Sequence, residues 1–235
     1  MSKTKYRNEW KYVFDARHLV YLEGRLQAIL ERDAHSCEEG NYIVRSLYFD
    51  DYRDSCVHDN DSGTNVRHKY RIRYYNDNAD ELRLEKKIKV NGMCRKVSCR
   101  LTREECELLI NGRANEVFWK TENEFLKKFC VEMMTKHYLP KVIVHYERTA
   151  YVQDDFNVRI TIDRNISASN EVSRFLDCDY TLYPLQEMNE HLLEVKFDEF
   201  LPGYIRKIVY DKMMNRTSFS KYYLGRKKLQ MMGSY

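Results

Sequence analysis

Six stretches of this 235-residue sequence carry charged side chains, mostly arginine and lysine, at every second position. In one of them, residues 70–74, Arg71 and Arg73 alternate with Tyr70, Ile72 and Tyr74. Because successive side chains of a β-strand point to opposite faces, such a stretch predicts a strand with one cationic and one apolar face. Guanidinium and ammonium groups repeated on neighbouring strands are suited to binding phosphate oxygens.

The other five stretches repeat this alternation, with glutamates only occasionally among the cations. Such a face is strongly self-repelling unless an anion lies among the cations. If the sheet closes, it becomes a cation-lined tunnel, poor in carboxylates, whose few glutamates are expected to bind a hard divalent cation. The alternative is a charged sheet face that meets water, as antiparallel sheets often have. The stretches contain Arg7, Glu9 and Lys11; Arg83, Glu85, Lys87 and Lys89; Lys96, Ser98 and Arg100; Arg159, Thr161 and Asp163; and Glu194 and Lys196.

About eight strands and a few helices must position these side chains, which predicts an α+β fold with a largely antiparallel sheet that could close into a barrel. Asn91-Gly92 predicts a tight hairpin, Asp15 an N-cap, and Thr102 with Glu105 a capping box. Further helices are expected over residues 122–136 and after Pro202-Gly203. The predicted strands are residues 9–14, 42–49, 68–75, 81–89, 93–101, 142–151, 158–163 and 192–197.

Composition narrows the class of protein. The chain, residues 1–235, is predicted to form a single globular domain, with 43% hydrophobic and 32% charged residues. It has no apolar run long enough for a transmembrane helix and no signal peptide, so a soluble, cytoplasmic protein is expected. The seven cysteines form no CxxC motif and are expected to be reduced. A net charge of +4, with basic residues alternating on strands rather than forming an exposed run, does not favour a nucleic-acid binder.

Seven short motifs resemble, in order, those of the VTC domain. This domain is the catalytic part of the vacuolar transporter chaperone polyphosphate polymerase, one of the CYTH-like triphosphate tunnel metalloenzymes. The resemblance extends from about residue 6 to residue 226. The motifs are residues 7–12 (RNEWKY), Arg71-x-Arg73, Glu85-x-Lys87, residues 147–151 (ERTAY), residues 158–163 (VRITID), residues 193–196 (LEVK) and residues 218–222 (SFSKY).

The resemblance implies an eight-stranded antiparallel closed barrel, the triphosphate tunnel, with helices packed outside it and a nucleoside triphosphate and Mn or Mg inside. Glu194 resembles the metal ligand of the family. Lys96 and Arg100 are added as substrate-binding residues from strand parity alone, and Arg7, Glu9 and Glu85 share that role. The residues expected to handle phosphate in catalysis are Lys11, Arg71, Arg73, Lys87, Arg148, Arg159, Lys196 and Lys221.

Three functions follow from this resemblance. The leading hypothesis is a polyphosphate polymerase that transfers the γ-phosphate of ATP to a growing chain, because an ionised terminal phosphate needs no general base. A triphosphatase must activate water, commonly with additional carboxylates. A non-catalytic module that binds polyphosphate or nucleotide is the third. The family's eukaryotic assemblies also carry an SPX domain and membrane helices. This chain shows neither, so it is expected to act alone or to dock on a separate membrane partner.

Overall fold

The computed structural model describes residues 6–33, 40–76, 78–210 and 214–233. The fold is α+β, as predicted, and one antiparallel sheet contains every strand in these ranges. The strands are β1 (Asn8–Asp15), β2 (Glu31–Arg32), β3 (Tyr42–Asp50), β4 (Val66–Tyr75), β5 (Asn78–Val90), β6 (Met93–Leu101), β7 (Leu139–Gln153), β8 (Val158–Ser169), β9 (Tyr183–Pro184), β10 (Glu190–Phe197) and β11 (Asn215–Arg216).

Eight long strands follow the order β1-β10-β8-β7-β3-β4-β5-β6, and they correspond to the eight strands predicted from the sequence. The short strands β11, β2 and β9 pair with β1, β7 and β8. The helices in the described ranges are α1 (Ala16–Gln27), α2 (Ser55–Asp61), α3 (Arg103–Ile110), α4 (Ala114–Lys120), α5 (Glu124–Lys136), α6 (Gly203–Val209) and α7 (Lys221–Met232).

The local signals in the sequence have the predicted effects. Asp15 accepts hydrogen bonds from the backbone of the first turn of α1, and Thr102 and Glu105 form a capping box on α3. Asn91 and Gly92 both have positive φ and join β5 to β6, as a two-residue hairpin of this type requires. These turns and caps fix where the strands begin, and therefore which side chains share a face.

Two hydrophobic cores cover the outer face of the sheet. Helices α3, α4 and α5 pack against β3–β6, where Tyr70 and Phe129 have ring centroids 4.6 Å apart. Helices α1 and α6 pack against β1, β8 and β10, with Leu26 and Ile205 fully buried. These apolar side chains alternate with the charged ones, so covering the outer face directs the charged side chains to the inner face.

Helix α7 lies against the inner face of the sheet, in a third hydrophobic cluster that also contains residues of α2, β3, β7 and β8. Its Gly225 approaches the sheet closely: a Cβ at this position would lie 3.2 Å from Cβ of Ala168 and 3.3 Å from Cγ2 of Val142. The side chain of Tyr222, the next residue after Lys221, is buried and hydrogen-bonded to Asp50. The first turn of α7 is therefore fixed over the charged part of the inner face.

The expectation of a closed barrel is not supported. Within the described ranges, no ladder of hydrogen bonds joins β1 to β6, the two ends of the eight-strand path. These strands meet at one isolated bridge, in which Arg7 and Cys94 exchange backbone hydrogen bonds of 2.9 and 2.8 Å. Alternation of side chains specifies which faces are covered, but it does not specify how far the end strands overlap.

None of the helices in the described part of the chain is long and apolar enough to span a lipid bilayer. The six cysteines that the described ranges contain are all free thiols; Cys37 lies outside those ranges. Burial raises the pKa of Cys106 to about 12 and that of Cys130 to about 11, so these two thiols remain protonated at neutral pH.

Candidate functional site

The strongly curved sheet brings charged side chains from distant strands together on its inner face. Lys87 of β5 places Nζ 2.8 Å from both carboxylate oxygens of Glu9 on β1, although five strands separate the two along the sheet. We call the connected charged residues of this face the inner cluster. They are Glu9, Lys11, Arg71, Arg73, Glu85, Lys87, Lys96, Arg148, Asp163, Glu194, Lys196 and Lys221.

Glu194 contacts more cations than any other carboxylate of the inner cluster. Lys11 lies directly opposite on β1, with its Nζ 3.1 Å from Oε1, and Lys221 at the start of α7 contacts the same oxygen at 3.0 Å. Lys196 and Arg148 approach Oε2 at 3.4 and 3.8 Å. Burial opposes ionisation, yet Lys11, Lys221 and Lys196 together hold the pKa of Glu194 well below its usual range.

Glu9 shares two of these lysines. Its Oε1 lies 3.6 Å from Nζ of Lys196, and its Oε2 lies 4.0 Å from Nζ of Lys11. Although Glu9 is buried, Lys87 and Lys11 lower its pKa. Burial lowers the pKa of Lys196 to about 8, although Glu194 and Glu9 oppose this shift. Lys11 and Lys196 thus each contact both Glu9 and Glu194.

Asp163 is a member of the inner cluster that the candidate site residues omitted. Arg148 donates to both of its carboxylate oxygens, from Nε at 2.6 Å and from Nη2 at 2.8 Å, and Lys221 lies 2.6 Å from Oδ2. Burial opposes ionisation, but Arg148 and Lys221 lower the pKa of Asp163. Strand parity placed it on the charged face with Arg159, but it was not among the expected site residues.

Glu85 is the centre of the second half of the cluster. Its Oε2 accepts from Nε of Arg71 at 2.8 Å and lies 4.0 Å from Nη1 of Arg73, while its Oε1 accepts from Lys96 at 2.7 Å. The carboxylate is fully buried, at 0% exposure. Burial opposes ionisation, but Arg71, Arg73 and Lys96 hold the pKa of Glu85 well below its ordinary value.

Two tyrosines that sequence reasoning missed orient the arginines. Tyr48 accepts from Nη1 of Arg71 at 3.0 Å, and Tyr146 accepts from Nη2 of Arg73 at 2.9 Å. Burial opposes ionisation of Tyr48, but the neighbouring Arg71 and Arg73 lower its pKa to about 8. The Tyr146 ring also lies beneath Lys221, with Nζ 4.7 Å from the ring centroid. Tyr146 therefore connects the two halves of the cluster.

Three of the expected site residues lie outside this network. Arg7 pairs with Asp198, with its Nε 3.0 Å from Oδ1, beyond the start of β1. Arg159 donates to Asp33 and to the hydroxyl of Tyr42. Arg100 is exposed on β6, where its hydrogen bond to the carbonyl of Asp80 is long, at 3.4 Å. The inner cluster contains the other expected residues: Lys11, Arg71, Arg73, Lys87, Arg148, Lys196, Lys221, Glu9, Glu85, Lys96 and Glu194.

The carboxylates of the inner cluster are the ones that the alternation of the strands placed on this face. Four carboxylates, Glu9, Glu85, Asp163 and Glu194, lie among eight cations. Each carboxylate contacts two or more cations, so their number does not make the surface acidic. This arrangement leaves more cations than carboxylates on the inner face, and a polyanion is the ligand that would neutralise the excess.

The donors of this face fit a metal ion that binds together with phosphate. In the described ranges, no three His, Cys, Asp or Glu side chains are grouped closely enough to hold a metal by themselves. Mg²⁺ and similar hard cations are commonly held by one or two carboxylates, with phosphate oxygens and water as the remaining ligands. Glu194 with its neighbour Glu9 could supply such a pair of carboxylates.

Known proteins support the same assignment of fold. The family described as VTC domain matches residues 6–230. No curated protein matches the chain. Among solved structures, a candidate adenylyl cyclase from Hippeastrum, described as having a dominant triphosphatase activity, has a TM-score of 0.59 at 11% identity, and the match covers 94% of this chain and 96% of that chain. This likeness shows a shared fold.

A candidate adenylate cyclase from Bacillus halodurans has a TM-score of 0.49 at 10% identity, covering 98% of this chain and 91% of that chain. A Pyrococcus horikoshii protein has a TM-score of 0.45 at 12% identity, covering 95% and 98%.

Proposed function

The chain belongs to the VTC domain family, and from this we propose that it is a metal-dependent phosphotransferase that synthesises polyphosphate. In this proposal ATP, or another nucleoside triphosphate, supplies a γ-phosphate that is transferred to the end of a growing chain. The inner cluster is the proposed site of transfer. Its excess of cations over carboxylates supports the binding of a triphosphate and a polyphosphate end at the same surface.

One observation carries the choice of transfer over hydrolysis: every carboxylate of the inner cluster is already held by cations. Glu9, Glu85, Asp163 and Glu194 all have lowered pKa values. A carboxylate with a low pKa is a weak proton acceptor and therefore a poor base for activating water. The terminal phosphate of a polyphosphate chain is ionised at neutral pH, so its attack on ATP requires no base.

In this proposal the residues of the inner cluster position the reacting phosphates and neutralise their negative charge. Phosphoryl transfer needs the attacking oxygen, the phosphorus and the leaving oxygen in line, with the negative charge of the transferring group stabilised. Arg71 and Arg73 present guanidinium groups that tyrosine hydroxyls and Glu85 hold in place, which suits them to grip phosphate oxygens. Lys11 and Lys221 add compact positive charges beside Glu194.

Glu194, assisted by Glu9, is proposed to hold Mn²⁺ or Mg²⁺ when the metal arrives with the triphosphate. When bound, the ion would supply positive charge that neutralises phosphate oxygens. Lys11 and Lys196 contact the same carboxylate oxygens that would hold the ion, and their ammonium groups would then be free to contact phosphate. The metal and the phosphate sites are therefore expected to fill together.

A triphosphatase is the second candidate. The Hippeastrum protein of the same fold has a dominant triphosphatase activity, and the inner cluster contains four carboxylates, the type of group that could activate water. For this chain the alternative requires one carboxylate to leave its cations and accept a proton from water. Asp163, which forms two hydrogen bonds with Arg148, is poorly placed for that role.

The direct test is incubation of the purified protein with ATP and Mn²⁺ or Mg²⁺, followed by separation of the products. Formation of ADP together with lengthening phosphate chains on a gel would establish synthesis. Phosphate release without chain growth would establish the triphosphatase. Tight binding of tripolyphosphate with no turnover would leave a binding module, the third function that the sequence raised.

A further inference from the structure

Three arginines form a row across neighbouring strands of the inner face. Arg73 on β4 pairs directly with Arg83 on β5, and Arg83 pairs directly with Arg100 on β6. Directly opposed residues of an antiparallel pair have Cβ atoms about 4.5–5.5 Å apart. The row therefore places the Cβ atoms of three arginines side by side over roughly 10 Å, because neighbouring strands are about 4.8 Å apart.

The row extends from the buried site to solvent. Arg73 is 5% exposed and belongs to the inner cluster, whereas Arg83 and Arg100 are both exposed. No helix in the described ranges packs against the inner face of β5 and β6 at this point, because α3, α4 and α5 cover their outer face. A ligand bound at Arg73 can therefore continue across β5 and the end strand β6 without leaving the protein surface.

The outer two arginines of the row lack the acidic partners that other cations of this face have. Nearby on the same strands, Lys87 is paired with Glu9 and Lys96 with Glu85, both closer than 3 Å. In the part of the chain that the structure describes, neither Arg83 nor Arg100 forms an ion pair with a carboxylate. Like charges placed directly opposite each other destabilise a sheet, and among the described residues no carboxylate pairs with Arg83 or Arg100 to offset that cost.

We propose that this row is a track for the part of a polyphosphate chain that extends beyond the inner cluster. The inference rests on the proposed function and specifies its substrate: a linear chain longer than a triphosphate. Every unit of such a chain carries negative oxygens, which guanidinium groups bind in the same way at each position. A compact anion such as tripolyphosphate fills the inner cluster and does not reach Arg83.

The test compares the affinity for tripolyphosphate with that for a long-chain polyphosphate, in wild type and in Arg83→Glu. We expect the variant to bind the long chain about tenfold more weakly, since an exposed attraction is replaced by a repulsion, and to bind tripolyphosphate within twofold of wild type. Arg83→Lys keeps the charge and should bind the long chain nearly as well as wild type. Arg17→Glu, an exposed arginine on α1, is the matched control and should change neither affinity.

The outcomes separate the track from the site. Equal losses for both ligands in Arg83→Glu, or no loss for either, would overturn the track while leaving the inner cluster as the phosphate site. A similar loss of long-chain affinity in Arg17→Glu would also overturn it, because the effect would then be one of net charge. If wild type binds neither ligand, both the track and the proposed function fail.

Discussion

The hydroxyl of Tyr146 on β7 accepts a hydrogen bond from Nη2 of Arg73 on β4 at 2.9 Å, across the intervening strand β3. The Tyr146 ring also supports Arg148, whose guanidinium carbon lies 5.1 Å from the ring centroid. One neutral side chain thus fixes cations in both halves of the inner cluster. Its hydroxyl holds Arg73, while its ring lies beneath Arg148 and Lys221.

Removal of this hydroxyl is the first prediction. In Tyr146→Phe, Arg73 loses a partner worth about 1.5 kcal/mol, the lower range for a hydrogen bond to a charged group, so affinity for tripolyphosphate should fall about tenfold. Calorimetric titration measures it. The matched control is Tyr74→Phe on the outer face, which loses a 2.7 Å bond to the carbonyl of Phe175. That variant should lower the melting temperature and leave the affinity unchanged; an equal loss of affinity in both variants would contradict the assigned role of Tyr146.

The second prediction separates metal binding from phosphate binding at Glu194. Glu194→Gln keeps the side-chain shape and removes the charge, so metal-dependent turnover should collapse while nucleotide binding survives in part. Turnover is measured over a range of Mn²⁺ concentrations. The control is Glu132→Gln, which removes a carboxylate paired with Lys86 on the outer face, at 2.8 Å. Turnover at the wild-type rate in Glu194→Gln would refute the metal assignment.

Lys11 provides the third prediction. It is a compact charge beside Glu194 and donates to the carbonyl of Phe219 at 2.8 Å. If it stabilises charge on the transferring phosphate, Lys11→Ala should lower kcat by about 10²-fold and weaken ATP binding much less. Steady-state kinetics together with equilibrium binding distinguish the two effects. Lys86→Ala, which removes an ion-paired lysine of the outer face, should leave kcat near the wild-type value.

Anions should stabilise the fold, which is the fourth prediction. Eight cations share four carboxylates in the inner cluster, so a bound polyanion relieves repulsion that exists only in the folded state. At a concentration a hundred times its Kd, tripolyphosphate adds about 2.7 kcal/mol to the free energy of unfolding. For a chain of this length, this raises Tm by about 5–10 °C. Thermal melts with and without millimolar tripolyphosphate measure it, and an unchanged Tm would argue against a phosphate site.

The fifth prediction concerns pH. Burial lowers the pKa of Lys69 to about 8; its Nζ lies 3.0 Å from Oγ of Ser220, near the start of α7. As pH rises through 8, the free protein loses this charge, whereas a bound phosphate favours the protonated lysine. Tripolyphosphate affinity should therefore fall above pH 8, and binding at pH 8 should take up protons.

Calorimetric titrations in two buffers of different ionisation enthalpy measure this proton uptake. In Lys69→Met the uptake at pH 8 should be smaller, because one titrating group is lost. An uptake equal to that of wild type would show that Lys69 does not sense the ligand.

The sequence predicted the strands and their charged face because both depend on a two-residue period. The alternation around Arg71 and in the strand of Glu194 is local and unambiguous, and the capping box of α3 and the Asn91-Gly92 hairpin are equally local signals. The identity of the face needed no long-range information, since the apolar side of each strand had to be covered by helices and the charged side took the opposite face.

Long-range features escaped prediction for the same reason. The overlap of β1 with β6 depends on curvature accumulated over the whole sheet. Helix α7 was not predicted, because its apolar face is short, contains Gly225 and is surrounded by lysines. The role of Tyr146 could not be predicted, because its hydroxyl contacts Arg73 only where the curvature of the sheet brings β4 close to β7. Asp163 was visible by parity, but nothing in the sequence revealed its two cationic partners.

The position of Lys11 also determines when the site can form during synthesis. This residue belongs to the first strand, yet it donates to the carbonyl of Phe219, 208 positions further along the chain, and its opposite neighbour Glu194 belongs to the last long strand. At translation rates of about 5–20 residues per second, β1 waits roughly 10–40 s for these partners. The first strand of the nascent chain therefore stays unpaired until β10 and the start of α7 have been synthesised, and a chain that stops before β10 lacks Glu194 and the site built around it.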